Sequence, residues 1–280
     1  MNFTYMLAPL EQTSDNALRT LCYKYGADLT FTEMTRYDSL AKKNKSSLRK
    51  IELHDQTPTQ IQIVGGKEEA LKKFLADFTP SKGFKGFNLN LGCPSPYVIK
   101  QGIGSAMIKR ITKVNKILEL IQEKYPCSIK MRLGMNGYEK FHKVYLNLIK
   151  STNAEFYIVH ARHGNEHYDS PADNSVYKEC LETGKTIIAN GDILDRDDVK
   201  RLQNIGVHGV MLGRAAVYNP GIFQVLKGKE QIDFKTLREE YLALVEKFQT
   251  PYAYQHNVLS RLGNIENLQK KKYQLDHVQG

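Results

Sequence analysis

The chain has 280 residues, 41% of them hydrophobic, which is enough apolar material for one large core and excludes disorder as the default reading. Its formal net charge of +10 and pI of about 9.2 favour an anionic partner, nucleic acid first. The four cysteines (Cys22, Cys93, Cys127, Cys180) form no CxxC pair and show no metal-ligand spacing, so neither a metal site nor a disulfide framework is expected.

From the N-terminus, Met1 to Pro9 carry no basic segment followed by a long apolar run. No stretch approaches the roughly 18 apolar residues of a membrane span. A soluble cytoplasmic protein without a membrane segment is expected. Short apolar runs then alternate with helical patterns. The runs are Tyr5–Ala8, Leu29–Thr32, Gln60–Val64, Gly86–Leu91, Ser128–Leu133, Phe156–His160, Thr186–Ala189 and Gly209–Leu212. Their length and β-branched or aromatic content suit buried parallel strands. Between them, Asp15–Tyr25, Glu68–Phe78, Thr112–Tyr125, Tyr138–Ile149 and Asp195–Ile205 repeat apolar residues at helical spacing. Thr112 and Asp195 are expected N-caps, and Gly206 an expected helix stop. Eight strands alternating with helices predict a (β/α)8 TIM barrel, with an open doubly wound sheet as the alternative.

Beyond about residue 228 the pattern turns purely helical, from Phe234 and again from about Tyr254 to Leu262, before a polar tail from Gln269. The expected division is residues 1–228 for the barrel and 229–280 for a short helical domain. Basic residues gather at Lys42–Lys50, Lys100–Lys116 and Lys270–Lys272.

A barrel of this kind works at the C-terminal ends of its strands. The polar residues there include Pro9, Glu33, Gln62, Asn90 with Cys93, Lys130 with Arg132, His160 with Arg162, Asn190–Asp192, and Gly213 with Arg214. Cys93 lies between Gly92 and Pro94 at a strand terminus, where a thiol can exchange a proton or attack as thiolate. Lys130 alternates with apolar neighbours, and an inward-facing ammonium calls for an anionic partner. His160 closes a very apolar run and can donate or accept near neutral pH. Glycine loops at Asn190-Gly191-Asp192 and Gly213-Arg214, after the last two strands, are a phosphate signal, with Arg214 able to grip bidentately.

These residues resemble the dihydrouridine synthase family. The resemblance covers about residues 5 to 223. It is carried by Leu7-Ala8-Pro9-Leu10-Glu11, Thr32-Glu33-Met34, Gln60-Ile61-Gln62, Asn88-Leu89-Asn90-Leu91-Gly92-Cys93-Pro94-Ser95-Pro96 with Gly102-Ile103-Gly104-Ser105-Ala106, Lys130-Met131-Arg132-Leu133-Gly134, His160-Ala161-Arg162 with Tyr168 to Asp173 downstream, Asn190-Gly191-Asp192-Ile193 and Gly213-Arg214. It implies FMN as cofactor, NADPH as reductant, uridine in tRNA as substrate, and Cys93 as general acid. It also implies FMN contacts from Pro9, Leu10, Glu11, Gln62, Lys130, His160, Asn190, Gly191, Asp192, Gly213 and Arg214. Asn90 and Arg162 would stand beside the target base.

The chain departs from the family pattern at His163-Gly164-Asn165-Glu166-His167-Tyr168, where a Thr and a Gln usually precede the Tyr, and in its short C-terminal region. The expected assembly is a monomer. The rival readings are another FMN barrel of dihydroorotate dehydrogenase type, which has a similar Asn-x-x-Cys-Pro turn, and a non-catalytic RNA-binding protein on a relic barrel. Basic charge and appended helices argue against the first, and the joint presence of Cys93, Lys130 and His160 against the second.

Overall fold

A computed structural model describes residues 2–266. The tail from Gln269 and the basic cluster Lys270–Lys272 lie outside the described residues. Nine short strands form one parallel sheet: β1 (Thr4–Leu7), β2 (Thr30–Phe31), β3 (Thr35–Arg36), β4 (Thr59–Val64), β5 (Phe84–Leu91), β6 (Cys127–Arg132), β7 (Tyr157–His160), β8 (Ile187–Asn190) and β9 (Gly209–Leu212). Their order is β1-β9-β8-β7-β6-β5-β4-β2, with β3 also on β4. The ring closes between β1 and β2 through a parallel bridge of Met6 to Leu29. The Leu7 N–H donates to the Leu29 carbonyl at 3.0 Å, and the Asp28 N–H to the Tyr5 carbonyl at 2.7 Å. The fold is the expected TIM barrel.

The second strand position departs from expectation. The sequence predicts one strand over Leu29–Thr32, whereas two short pieces pair with β4 on either side of Glu33. The interruption leaves the buried Glu33 carboxylate free to accept from the Gln12 N–H at 3.1 Å and the Lys50 ammonium at 3.0 Å.

Strand alternation divides the core in two. Outward residues such as Leu7, Ile61, Ile63, Leu89, Ile129, Val159, Ala189 and Val210 join the main core cluster. There they meet helix residues including Leu18, Leu71, Phe74, Val114 and Ile117. Each fully buried side chain of this size contributes about 1.5–3 kcal/mol. Met6, Ala8, Phe31, Phe156, Ile158, Ile188 and Met211 form a separate, smaller cluster inside the ring. The inward positions of β4, β5 and β6 are polar instead: Gln60, Gln62, Asn88, Asn90 and Ser128, all buried. The same period of two carries each inward stripe up to the mouth: Ile158 leads to His160, Ile188 to Asn190, Met211 to Gly213, and Ser128 to Lys130.

Local signals explain most of the helices. Asp15 caps Asn16–Lys24 by accepting from the Leu18 N–H, and Asp195 opens Arg196–Ile205 with a full capping box. Gly206 stops that helix in the left-handed region, as expected. The cap expected at Thr112 does not form. That helix runs Ile111–Gln122 with Arg110 at its cap position, so Thr112 lies inside the first turn. The expected Tyr138–Ile149 helix is two, Gly137–Phe141 and Val144–Ser151, because Lys143 takes a left-handed conformation between them.

The final helices, Phe234–Phe248 and Tyr252–Leu259, fold back onto the start of the chain. The Tyr25 hydroxyl donates to Glu240 at 2.8 Å, the Thr250 hydroxyl to Asp15 at 2.6 Å, and the Asn257 amide to the Gln12 carbonyl at 2.8 Å. The Tyr254 hydroxyl donates to Glu33. Among the described residues no helix is long and apolar enough to cross a membrane.

Candidate active site

Every residue that the resemblance implies for the site lines one of two adjoining hollows at the C-terminal mouth of the barrel, whereas Glu33, also picked at a strand end, lines neither. The smaller, about 120 Å³, is walled by Arg162, Asn190, Gly191, Asp192, Gly213 and Arg214. The larger, about 760 Å³, is walled by Glu11, Gln62, Asn90 and Cys93. Pro9, Leu10, Lys130 and His160 border both. Arg162 therefore stands on the small hollow and is absent from the walls of the cleft that holds Cys93.

The small hollow is built around one carboxylate. Asp192 accepts from Arg162 through Oδ2 and from Arg214 through Oδ1, the latter at 3.0 Å. Oδ2 also accepts the Ala172 N–H at 2.9 Å. Arg162 is fully buried, and its other N–H groups reach the Ser170 carbonyl and, at 3.3 Å, His160 Nε2. A guanidinium can only donate, so His160 Nε2 accepts and the ring proton sits on Nδ1. Burial, with Lys130, Arg132, Arg162 and Arg214 adding repulsion, holds the His160 pKa well below its ordinary value, so the ring is neutral. Two guanidiniums against one carboxylate leave net positive charge here. Gly191 at φ +121° and Asp192 at φ +49° turn the loop so that the Asp192 and Ile193 N–H groups have no acceptor among the described residues. A Cβ on Gly191 would meet the His160 ring at 3.1 Å, so the loop passes where a side chain would not fit. Unpaired amides, a cation-rich wall and a left-handed turn are the ingredients of a phosphate cradle.

The cleft side is organised by Asn90. Its Oδ1 accepts the N–H groups of Gly92 at 3.0 Å and Cys93 at 2.9 Å, which fixes the turn. The Cys93 carbonyl is held from the other side by the Ser105 hydroxyl at 2.9 Å. The Cys93 thiol is partly exposed, whereas Cys22, Cys127 and Cys180 are buried. Burial pushes the Cys93 pKa up, with Lys130 and Arg132 opposing, so the sulfur keeps its proton at neutral pH. Lys130 has no hydrogen-bond or ion-pair partner among the described residues. Its burial, with Arg132 adding repulsion, lowers its pKa to about 8. Glu11, mostly exposed at the rim, accepts from Lys50 at 2.7 Å.

Sequence reasoning gave Tyr168 no role, although it is part of the family resemblance. Its ring borders both hollows and lies under three guanidiniums, those of Arg214 at 4.5 Å, Arg162 at 5.7 Å and Arg132 at 5.9 Å. It stacks on His160 with centroids 6.1 Å apart. The loop that departs from the family pattern carries it, and that loop is held from within: Glu166 accepts the His163 N–H, and Arg132 donates to the His163 carbonyl at 2.8 Å. Ser105 was also missed, although the Gly102–Ala106 segment that carries it is part of the family resemblance.

The family described as dihydrouridine synthase (Dus) matches residues 6–278. The chain belongs to that family. It is 29% identical over 266 residues to tRNA-dihydrouridine synthase B of Pseudomonas putida, covering 91% of this chain and 78% of the relative. It is 32% identical over 231 residues to a probable tRNA-dihydrouridine synthase of Helicobacter pylori, covering 78% of this chain and 68% of the relative. A tRNA-dihydrouridine(47) synthase of Coprinopsis cinerea is 29% identical over 262 residues, covering 86% of this chain and 38% of that longer protein.

Proposed function

We propose that this dihydrouridine synthase family member is an FMN-dependent reductase of the C5=C6 bond of uridine in tRNA, with NADPH as reductant and Cys93 as general acid. One observation carries the reading. A protonated thiol (Cys93) and an unpaired ammonium (Lys130) border one cleft, and Lys130 also borders the adjoining cradle suited to a phosphate.

The residues present fit FMN. The Asp192 and Ile193 amides and Arg214 would hold its phosphate. Lys130 would stand where negative charge gathers on the ring on reduction, and Gln62 and Pro9 to Glu11 would border that ring. Bound and reduced by NADPH, the flavin would supply hydride to uracil C6. Cys93 Sγ–H would give its proton to C5, and its raised pKa keeps that proton available at neutral pH. Asn90 holds the backbone on which Cys93 sits, lines the same cleft, and would stand beside the base. Arg162, buried and tied to Asp192, fits support of the phosphate wall better than contact with the base. The extruded base is reached at a cost of a few kcal/mol. Dispersed positive charge would supply affinity for the RNA backbone.

The deciding experiment purifies the protein, looks for a flavin spectrum, and maps dihydrouridine in tRNA treated with the protein and NADPH. A colourless protein that binds no added FMN, or tRNA left without dihydrouridine, would refute the proposal.

A further inference from the structure

Below the cleft, inside the barrel, a chain of hydrogen bonds runs without a break. Asn90 Nδ2 donates to Gln62 Oε1 at 2.9 Å, and Gln62 Nε2 donates to Asn88 Oδ1 at 2.7 Å. Asn88 Nδ2 donates to the Ser128 hydroxyl at 2.7 Å, and that hydroxyl donates to Gln60 Oε1. Gln60 Nε2 finally donates to the Lys85 carbonyl at 3.3 Å and to the Glu155 carboxylate at 3.4 Å. Register explains the contacts: Gln62 faces Asn88 across β4 and β5, and Asn88 faces Ser128 across β5 and β6.

The direction of this chain is fixed at both ends. At the mouth, the Gly92 and Cys93 N–H groups can only donate, so Asn90 must offer its oxygen to them and its nitrogen to Gln62. At the far end, a carbonyl and a carboxylate can only accept, so Gln60 must offer its nitrogen. Each amide in between has one orientation that satisfies both neighbours, and turning any of them would set two like groups against each other. Gln60, Gln62, Asn88 and Ser128 are buried, where an unmet polar group is costly and water cannot substitute.

We infer that Asn88, Ser128 and Gln60 are positioning residues for the reaction, and that they act through Gln62 and Asn90 to hold the Cys93 turn in its working geometry. The inference rests on the reading of Cys93 as proton donor. None of the three lines either hollow, so each acts at a distance through the next. The one-way order also leaves an N–H on Asn90 and one on Gln62 unspent at the cleft wall, which suits carbonyl oxygens on whatever lies there.

The test is a double-mutant cycle of Ser128→Ala with Cys93→Ala, read by single-turnover oxidation of the prereduced holoenzyme by tRNA. Ser128→Ala alone should slow that step roughly tenfold, since small misplacements cost rates of this order and larger. Reduction of the flavin by NADPH should stay within about twofold of normal, as no proton from Cys93 enters that step. In the Cys93→Ala background, Ser128→Ala should cost nothing further, whereas with Cys93 intact Ser128→Thr should keep the normal rate. Gln60→Met cuts the chain at its far end, spares Ser128, and should act in the same direction if Ser128→Ala does not fold. In the protein without flavin, either cut should change the rate of alkylation of Cys93 by iodoacetamide by about threefold or more as the turn loosens. A full additional loss in the Cys93→Ala background, or an unchanged alkylation rate, would overturn the inference. Wild-type protein that makes no dihydrouridine would instead overturn the reading on which it rests.

Discussion

Arg162 is fully buried and hands its charge to Asp192, a residue that also reaches Arg214 at 3.0 Å. One carboxylate thus holds two guanidiniums of very different exposure. Removing it should act twice. Asp192→Ala strands the Arg162 charge, which costs about 3–5 kcal/mol in such settings, and melting should fall sharply. Arg214→Ala removes the partly exposed arm, so melting should barely change while FMN affinity falls about 10- to 100-fold, as for a lost charged hydrogen bond. Equal melting losses in the two variants would contradict this division.

Cys93→Ala should lower uridine reduction by about 10²–10⁴-fold, the usual worth of a general acid. Flavin binding and its reduction by NADPH should survive. The thiol is partly exposed, so thermal stability should change little. A variant that melts early yet reoxidises at the normal rate would make the residue structural.

Lys130 gives the site a pH dependence with a definite sign. Its folded-state pKa of about 8 lies below the ordinary 10.5, so the charged form destabilises the flavin-free fold, a penalty complete below about 8 that fades as pH rises from about 8 to 10.5. Flavin binding should favour the charged form. FMN affinity should therefore weaken as pH is raised from 7 towards 10, with proton uptake on binding above about pH 8. Lys130→Met should bind more weakly and with a flat profile. Titration calorimetry in buffers of differing ionisation enthalpy reads both, and a flat wild-type profile would end the argument.

RNA affinity should fall steeply with salt. Lys42, Lys45 and Arg49 are exposed and have no ion-pair partner among the described residues, whereas Lys43 is taken by Asp77 and Lys50 by Glu11 and Glu33. Changing the first three to Gln should flatten the slope of log affinity against log salt by about 0.7–0.9 for each phosphate no longer neutralised. A slope that stays unchanged would place the RNA elsewhere.

The strands were legible because each is a short apolar run with chemistry at its C-terminal end, and the barrel follows from their alternation with helices. The break at Lys143 was not, because a left-handed lysine leaves the apolar stripe from Tyr138 to Ile149 intact. The family resemblance implies a place for Arg162 beside the base. Its partner Asp192 sits on the next strand's loop, and nothing in either stretch announces a pairing that the barrel creates. The polar interior left a readable trace: Gln60-Ile61-Gln62, Asn88-Leu89-Asn90 and Ser128-Ile129-Lys130 each set polar residues at alternate positions in buried strands. Such a pattern normally signals a solvent-facing side, and only the closed ring turns that side inward.

Closure also carries a consequence for synthesis on the ribosome. The first strand has its four-residue ladder with β9, the last strand made, and meets β2 through a single bridge. The helices made after β9 then grip the segments flanking that junction, through Lys227 on Asp28, Glu240 on Tyr25 and Tyr254 on Glu33. The N-terminal strand must wait, unpaired on one edge, until nearly the whole chain has emerged. A chain released at residue 228 should fill the ring yet keep only the Lys227 contact of this clasp, and its Tyr5–Leu7 amides should exchange with solvent far faster than in the full protein. The C-terminal helices are in this sense the latch by which the barrel is fastened.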